Sequence, residues 1–236
     1  MNSSVRSYIA EFVGTFTLVF IGTSVATLQG VLSMPAGAGW LGISLAFGFT
    51  LMVLVLVIGP VSGCHINPAV TIPMAISGRL KPQLAVGYIV AQLLGALAAS
   101  AVLAALLSGL PIYESAKHGL GANGNPHGMA KVALFWWELI ITALFLFTIF
   151  SATREGTPPA ATALAIGGFL FVAHLIGAPL GDSSLNPARS FGPALLQGGD
   201  ALGLLWIFIV GPILGGLLGY ILYVLVYGEK FKQGAA

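Results

Sequence analysis

The heptapeptide HINPAVT occupies residues 65–71, and a related heptapeptide, SLNPARS, occupies residues 184–190. Asparagine is a strong helix N-cap and proline is favoured at the first helical position, so each Asn-Pro-Ala predicts a helix start. The short apolar segments at about 66–77 and 185–197 would each reach only about halfway across the hydrocarbon core of a membrane. Two half-helices that meet tip to tip would make one crossing, and this predicted junction decides the fold.

The rest of the chain has the composition of a membrane protein. Hydrophobic residues make up 57% of the 236 residues, charged residues make up 7%, and the mean hydropathy is +0.98. Long apolar runs predict six full spans at 8–28, 40–59, 82–107, 132–152, 159–178 and 202–227. We therefore predict an all-α membrane protein, a single domain over 1–236 with six transmembrane helices and two re-entrant half-helices.

The two motifs belong to an internal repeat. Aligning 45–71 with 164–190, at an offset of 119 residues, gives 10 identities in 27 positions. Two spans also carry matching faces of small residues, which let helices approach closely. These faces are Ala91, Gly95 and Ala99 in the first copy and Gly211, Gly215 and Gly219 in the second. Each repeat, approximately 5–110 and 130–227, holds three full spans, so the second copy must be inverted in the membrane.

The distribution of cations predicts the orientation of the chain. Most lysines and arginines fall on the side that holds the chain ends, which the positive-inside rule assigns to the cytoplasm. These are Arg6, Arg79, Lys81, Arg154, Lys230 and Lys232, against Lys117 and Lys131 on the other side. Both termini are therefore predicted to be cytoplasmic. The loop with Asn67 then enters from inside and the loop with Asn186 from outside.

Composition also argues against several classes of protein. The net charge of +2 is scattered and forms no basic stripe, so nucleic acid is not an expected partner. The single cysteine, Cys64, excludes an internal disulfide. Because no Cys or His cluster has the spacing of metal ligands, we expect neither a metal nor a cofactor.

The paired motif predicts two hydrogen-bond donors at the middle of the membrane. If the side-chain oxygens of Asn67 and Asn186 cap their own helices, their amide NH2 groups are left to donate into the space between the helix tips. Each helix N-terminus adds roughly half a positive charge, which repels cations and protons. A water molecule held by both amides turns its hydrogens outward and cannot relay a proton.

Two carboxylates, Glu11 and Glu138, occur at corresponding positions in the first helix of each copy. Intramembrane carboxylates are often functional, which suggests a proton relay. Alternatively, each accepts hydrogen bonds from the irregular backbone of a re-entrant loop, which has no other partner in hydrocarbon. We favour this structural role.

Taken together, these features resemble the aquaporin family. The resemblance rests on the inverted repeats, the two carboxylates and the paired motifs, and it covers nearly the whole chain. The motif residues are Asn67, Pro68 and Ala69, then Asn186, Pro187 and Ala188, the second copy being followed by Arg189. The segments 40–80 and 164–219 are similar to the bacterial water-channel branch. The resemblance implies a passive, osmotically driven water channel of the cell (inner) membrane, in contact with lipid, homotetrameric and not an enzyme.

The resemblance also implies a selectivity filter on the outer side of the asparagine pair. The four filter positions of the family correspond here to Phe47, His174, Ser183 and Arg189. Under the 119-residue offset, their counterparts are Ile166, Val55, Cys64 and Val70. The repeat thus diverges at every filter position. Candidates for the wall of the inner pore are Val55, Cys64 and His65.

The filter residues favour water over larger solutes. A glycerol-conducting relative typically carries a small residue in place of His174 and an aspartate after Arg189, where this chain has Ser190. Facilitated passage of glycerol, or of other small neutral solutes such as ammonia or hydrogen peroxide, is the alternative.

Two unrelated classes fit the sequence less well. An ion-coupled secondary transporter also uses inverted repeats and broken helices, but it needs an acidic or hydroxyl-rich ion site at mid-depth. A serine hydrolase that used His174 with Ser183 or Ser184 would need a Gly-x-Ser-x-Gly turn, which the sequence lacks.

Overall fold

A computed structural model describes residues 3–180 and 183–228. Its helices, in chain order, are α1 (Ser3–Val31), α2 (Ala36–Ser62), α3 (Pro68–Ile76), α4 (Pro82–Ser108), α5 (Ser115–His118), α6 (Lys131–Ala152), α7 (Pro159–Gly177), α8 (Pro187–Gln197) and α9 (Gly199–Tyr227). A 3-10 turn, Ala178–Leu180, follows α7. Helices α1, α2, α4, α6, α7 (with this turn) and α9 are long and apolar enough to cross a membrane. The predicted all-α class, with six spans and the half-helices α3 and α8, is confirmed.

Helix ends differ from the predicted bounds because hydropathy marks contact with hydrocarbon, whereas a helix continues until its backbone is interrupted. The sequence predicts the second span over 40–59, but α2 continues past Pro60 to Ser62. Gly63 ends this helix with a left-handed φ of 83°, and its N–H donates to the carbonyl of Gly59 at 2.9 Å.

The two halves meet at a pair of glycines. Gly48 in α2 and Gly167 in α7 are counterparts under the 119-residue offset, and their backbones touch. A Cβ on Gly48 would lie 2.9 Å from the carbonyl oxygen of Gly167, and a Cβ on Gly167 would lie 2.6 Å from that of Gly48. Counterparts that contact each other must lie beside the axis that relates the halves. The repeat bounds themselves, 5–110 and 130–227, stay a prediction.

The predicted small-residue faces pack inside the subunit. A Cβ on Gly95 of α4 would lie 2.5 Å from the carbonyl oxygen of Phe12 in α1. On α9, a Cβ on Gly219 would collide with the carbonyl of Ala143 in α6. These faces therefore seal α1 against α4 and α6 against α9, and they are not available for contacts between subunits.

The long connection between α4 and α6 folds back against the helix bundle. Within it, the backbone N–H of Leu120 donates to the side chain of Gln197 in α8 at 2.9 Å. Gly121 has a φ of +68°, and a Cβ there would lie 2.8 Å from the carbonyl oxygen of Thr23 in α1. Only glycine fits this close approach, which holds the segment against α1, while the bond to Gln197 holds it against the end of α8.

We predict that Gly167→Val lowers the thermal stability of the protein in detergent, because the added side chain separates α2 from α7. Overpacking typically costs about 1–3 kcal/mol. The matched control is Gly168→Val, since a Cβ at Gly168 meets no atom within 4 Å. Size-exclusion chromatography after heating measures both variants, and equal stability would contradict the glycine contact.

Candidate functional site

Both asparagines are the N-caps of their half-helices. The Oδ1 of Asn67 accepts the N–H of Ala69 at 2.8 Å, and the Oδ1 of Asn186 accepts the N–H groups of Ala188 at 3.0 Å and Arg189 at 3.3 Å. Both asparagines have extended backbone, with φ of −161° and −148°. The side-chain oxygens are thus occupied, and α3 and α8 point their N-termini at each other across the junction.

The asparagine amides also bind the opposite loop. The Nδ2 of Asn67 donates to the carbonyl of Leu185 at 2.8 Å, and the Nδ2 of Asn186 donates to the carbonyl of Ile66 at 2.9 Å. The sequence argument left both hydrogens of each amide for the space between the tips. The structure commits one hydrogen per amide to the junction, since a loop carbonyl in hydrocarbon needs a donor. One N–H per asparagine remains for a bound molecule.

The residues before the asparagines have an unusual backbone. Ile66 and Leu185 have positive φ values of 42° and 53°. Such a conformation is uncommon for any residue other than glycine and a clear outlier for a β-branched one, at a cost of about 1–3 kcal/mol each. The two strained residues are counterparts in the repeat, and each supplies a carbonyl to the opposite asparagine. The hydrogen bonds of the junction therefore account for this unusual backbone conformation.

The two carboxylates hold these loops from behind. Glu11 accepts the N–H groups of His65 at 2.9 Å and Ile66 at 2.5 Å. Glu138 accepts those of Ser184 at 2.9 Å and Leu185 at 3.1 Å. The four donors are counterparts under the same offset. These are the contacts that a structural role for the carboxylates requires.

The first loop has an additional polar network that the sequence did not predict. Gln92 of α4 donates from Nε2 to Glu11 at 2.7 Å and to the hydroxyl of Thr71 at 2.9 Å. The ring of His65 lies 3.2 Å from that hydroxyl through Nδ1 and packs edge-on against Tyr88, with centroids 5.3 Å apart. The sequence feature that could have indicated this network is Gln92 itself, a polar residue in an apolar span, one residue after Ala91 of the small-residue face.

A cavity of about 1570 Å³ passes along both asparagines. Asn67 and Asn186 are 3% and 5% exposed, so each keeps a small accessible surface beside this cavity. The other predicted site residues that line it are Phe47, Val55, Cys64, His65, His174 and Arg189. Ser183 is not part of this lining.

Three of the predicted filter residues come together. The rings of Phe47 and His174 stack with centroids 4.3 Å apart and planes 18° from parallel. The guanidinium carbon of Arg189 lies 4.8 Å from the centroid of Phe47. Because the carbonyl of Leu170 lies 2.9 Å from Nδ1 of His174, that nitrogen carries a proton, and in the neutral ring Nε2 is an acceptor.

Ser183, the fourth predicted filter residue, is fully buried next to α6 and α7. Its hydroxyl accepts the indole N–H of Trp137 at 2.9 Å. A Cβ on Gly177 would collide with this hydroxyl, so the glycine makes room for it. Trp137 was missed because an aromatic residue in an apolar span is usually part of the core.

The guanidinium of Arg189 is held by the long loop. Its Nη1 donates to the carbonyl of Gly121 at 3.0 Å and to the Oδ1 of Asn123 at 3.0 Å. Arg189 is 1% exposed, so almost all of its side chain is covered by protein atoms. Sequence reasoning missed Asn123 because nothing in a polar loop distinguishes one asparagine from another.

The fold and site define a membrane channel, and the chain belongs to the major intrinsic protein family, which matches residues 1–223. It is 43% identical to Aquaporin Z of Rhodopseudomonas palustris over 227 residues, covering 94% of this chain and 93% of that protein. Identity to Aquaporin Z of Bradyrhizobium diazoefficiens is 40% over 222 residues, 92% of each. The X-ray structure of the aquaglyceroporin from Plasmodium falciparum superposes with a TM-score of 0.83 at 25% identity, over 93% and 95% of the chains. The predicted family is confirmed.

We predict that Glu138→Gln destabilises the second loop, because the amide NH2 would face the N–H of Ser184 or Leu185. A buried donor without an acceptor costs about 1–3 kcal/mol. The thermal midpoint in detergent measures the loss, and exposed Glu155→Gln is the control. Equal midpoints for the two variants would argue against the structural role.

Proposed function

We propose that the protein is a passive, osmotically driven water channel that excludes protons and ions. The observation that carries this proposal is the pair of accessible amides of Asn67 and Asn186 at two opposed helix N-termini. Each amide retains one N–H for a molecule in the cavity. Multi-pass membrane structure and membership of a channel family agree with this function, and the bacterial relatives at 40% and 43% identity are named Aquaporin Z.

The paired donors account for the exclusion of protons. A water oxygen that accepts from both amides must point its hydrogens away from the junction along the cavity axis, so neighbouring waters on the two sides are oppositely oriented. The positive ends of α3 and α8 raise the electrostatic energy of a cation at the same place. Water passes, whereas a proton finds neither a continuous donor chain nor a favourable potential.

The filter in this proposal combines one cation, one acceptor and one apolar wall. Arg189 donates to a passing water and repels cations, the Nε2 of His174 accepts from it, and Phe47 limits the width. Ser183 contributes through its neighbours, since its hydroxyl is bonded to Trp137. A narrow polar ring of this kind suits water better than the carbon backbone of glycerol.

Orientation and assembly extend the proposal. Arg79 donates to Thr153 at 2.5 Å and Arg154 lies 4.4 Å from the ring of Tyr227, so these cations share the face of the chain ends. We assign this face to the cytoplasm of a bacterial inner membrane. Two further cations of that prediction, Lys230 and Lys232, lie outside the described residues. We further propose that the protein forms a homotetramer with a pore in each subunit. We expect it to have neither a catalytic role nor a cofactor.

Stopped-flow light scattering of proteoliposomes tests the function. Under an osmotic gradient of an impermeant solute, vesicles with the protein should shrink much faster than empty vesicles, with a lower activation energy. A parallel glycerol gradient should show no comparable increase. Shrinkage at the rate of empty vesicles would contradict a water channel, and rapid glycerol entry would favour the alternative solute facilitator.

We predict that Arg189→Val raises the leak of protons or cations while water permeation persists, because the fixed positive charge leaves the filter. A pH-sensitive dye inside the vesicles measures the proton leak. Arg154→Val, which removes an exposed arginine outside the filter, is the matched control. An unchanged leak in Arg189→Val would show that the midplane alone excludes ions.

We predict that mercurials block water permeation through Cys64, which lines the cavity and is the only cysteine of the chain. A mercury adduct on its sulfur would narrow the passage next to Asn67. Cys64→Ser should conduct water and resist the block. Inhibition that persists in Cys64→Ser would argue against this placement.

A further inference from the structure

Trp137, in the second turn of α6, binds the residue that the family resemblance assigns to the fourth filter position. Its indole Nε1–H donates to the Oγ of Ser183 at 2.9 Å. The next residue of the helix, Glu138, accepts the backbone N–H of Ser184 at 2.9 Å. Two consecutive residues of α6 thus bind two consecutive residues of the loop before α8. The carboxylate holds the backbone of this loop, and the indole sets the direction of one side chain.

The hydroxyl of Ser183 lies in a slot formed by Trp137 of α6 and Gly177 of α7. A Cβ on Gly177 would collide with the hydroxyl oxygen, so the oxygen rests directly on the backbone of this glycine. Gly177 follows His174 by three residues, which places the slot about one helical turn from the filter histidine. Ser183 is 0% exposed, and Trp137 packs against the core cluster that includes Phe47. The hydroxyl therefore lies next to the filter but is enclosed between two helices.

The first half of the molecule has a different arrangement at the corresponding positions. Ala10, which precedes Glu11 as Trp137 precedes its own glutamate, has a side chain that cannot donate a hydrogen bond. Cys64, the counterpart of Ser183, lines the cavity. The carboxylates hold the two loops through counterpart N–H groups, so the loops themselves do not account for this difference. The half with the indole donor is the half whose side chain is held in a slot.

The partner of a serine hydroxyl decides which orientation the side chain adopts. Serine has three staggered orientations about χ1, and the indole N–H favours the one that directs the Ser183 oxygen into the slot. Without this donor, the oxygen would be buried in the slot at the cost of an unmade hydrogen bond. Water in the filter, one helical turn away, can supply the missing donor. Loss of the indole would therefore turn the hydroxyl toward the passage.

We propose that Trp137 is a positioning residue that keeps the hydroxyl of Ser183 out of the passage, and that it thereby sets the water permeability of the filter. The proposal rests on the proposed water-channel function. With the hydroxyl in the slot, a passing water meets the polar groups of His174 and Arg189 without being bound by Ser183 as well. A hydroxyl turned into the passage would narrow it and would bind each water that enters.

The water permeability of proteoliposomes with matched protein content tests the proposal. Trp137→Phe keeps an aromatic ring in the core and removes the donor. It should lower unit water permeability by roughly threefold to tenfold, the effect of one added hydrogen bond that each passing water must break. Ser183→Ala should keep the parental permeability, because the hydroxyl that it removes lies outside the passage. Trp136→Phe is the matched control, since Trp136 is 53% exposed and its ring contacts Phe135.

A double variant separates positioning from a general effect on the packing of α6. Trp137→Phe combined with Ser183→Ala should recover the parental permeability, since the hydroxyl that the indole positions is absent. A loss caused by poorer packing of the smaller ring would persist in the double variant and would overturn the proposal. Parental permeability in Trp137→Phe alone, or a loss in Ser183→Ala alone, would overturn it as well.

The indole N–H signals in nitrogen-15 spectra of the protein in detergent report the hydrogen bond without any transport. The chain has four tryptophans, and the signal of Trp137 is assigned by its loss in Trp137→Phe. Ser183→Ala should move the proton of this signal upfield, because a hydrogen-bonded N–H proton resonates downfield of a free one. A signal that does not move would overturn the proposal. Parental vesicles impermeable to water would refute the channel function, and a signal that moves would then still retain the hold of Trp137 on Ser183.

Discussion

The reciprocal hydrogen bonds from Asn67 to the carbonyl of Leu185, and from Asn186 to the carbonyl of Ile66, are the interaction on which the rest of the structure depends. A membrane does not tolerate irregular backbone unless every polar group has a partner. The two re-entrant loops solve this problem for each other. Each loop presents the carbonyl of a residue with positive φ to the asparagine of the other loop. Two helices that are each too short to span the membrane are thereby joined into one crossing.

The need to pair every backbone polar group in the membrane explains why the helices and loops of the two halves are symmetric, whereas the proposed filter is not. Glu11 and Glu138 accept counterpart N–H groups, and Gly48 meets Gly167 at the axis. These features supply a backbone partner or a close approach, which both halves need equally. In the filter that we propose, selectivity needs a single polar ring on one side, and Arg189 accordingly faces the uncharged Val70 as its counterpart in the repeat. Its support comes from the outer loop instead of from a span.

Much of the architecture follows from local rules. Hydropathy located all six spans, and the capping preference of asparagine followed by proline located the starts of α3 and α8. The two carboxylates could be assigned to the loops because an intramembrane backbone needs acceptors. The sequence could not reveal that Trp137 binds Ser183, or that the small-residue faces pack within the subunit. Both depend on which helices become neighbours, and the sequence of an apolar span does not indicate which other span packs against it.

The sequence by itself determined the class, the inverted repeat, the asparagine caps and the residues of the predicted filter, because each depends on short-range preferences or on a family pattern. Only the tertiary structure decided that each asparagine amide donates one hydrogen bond to the opposite loop. It also decided that Asn123, far from Arg189 in the chain, reaches the guanidinium. The physical reason is the same in both cases: an unpaired polar group buried in the protein takes the nearest partner in space, and proximity in space arises only when the halves have packed together.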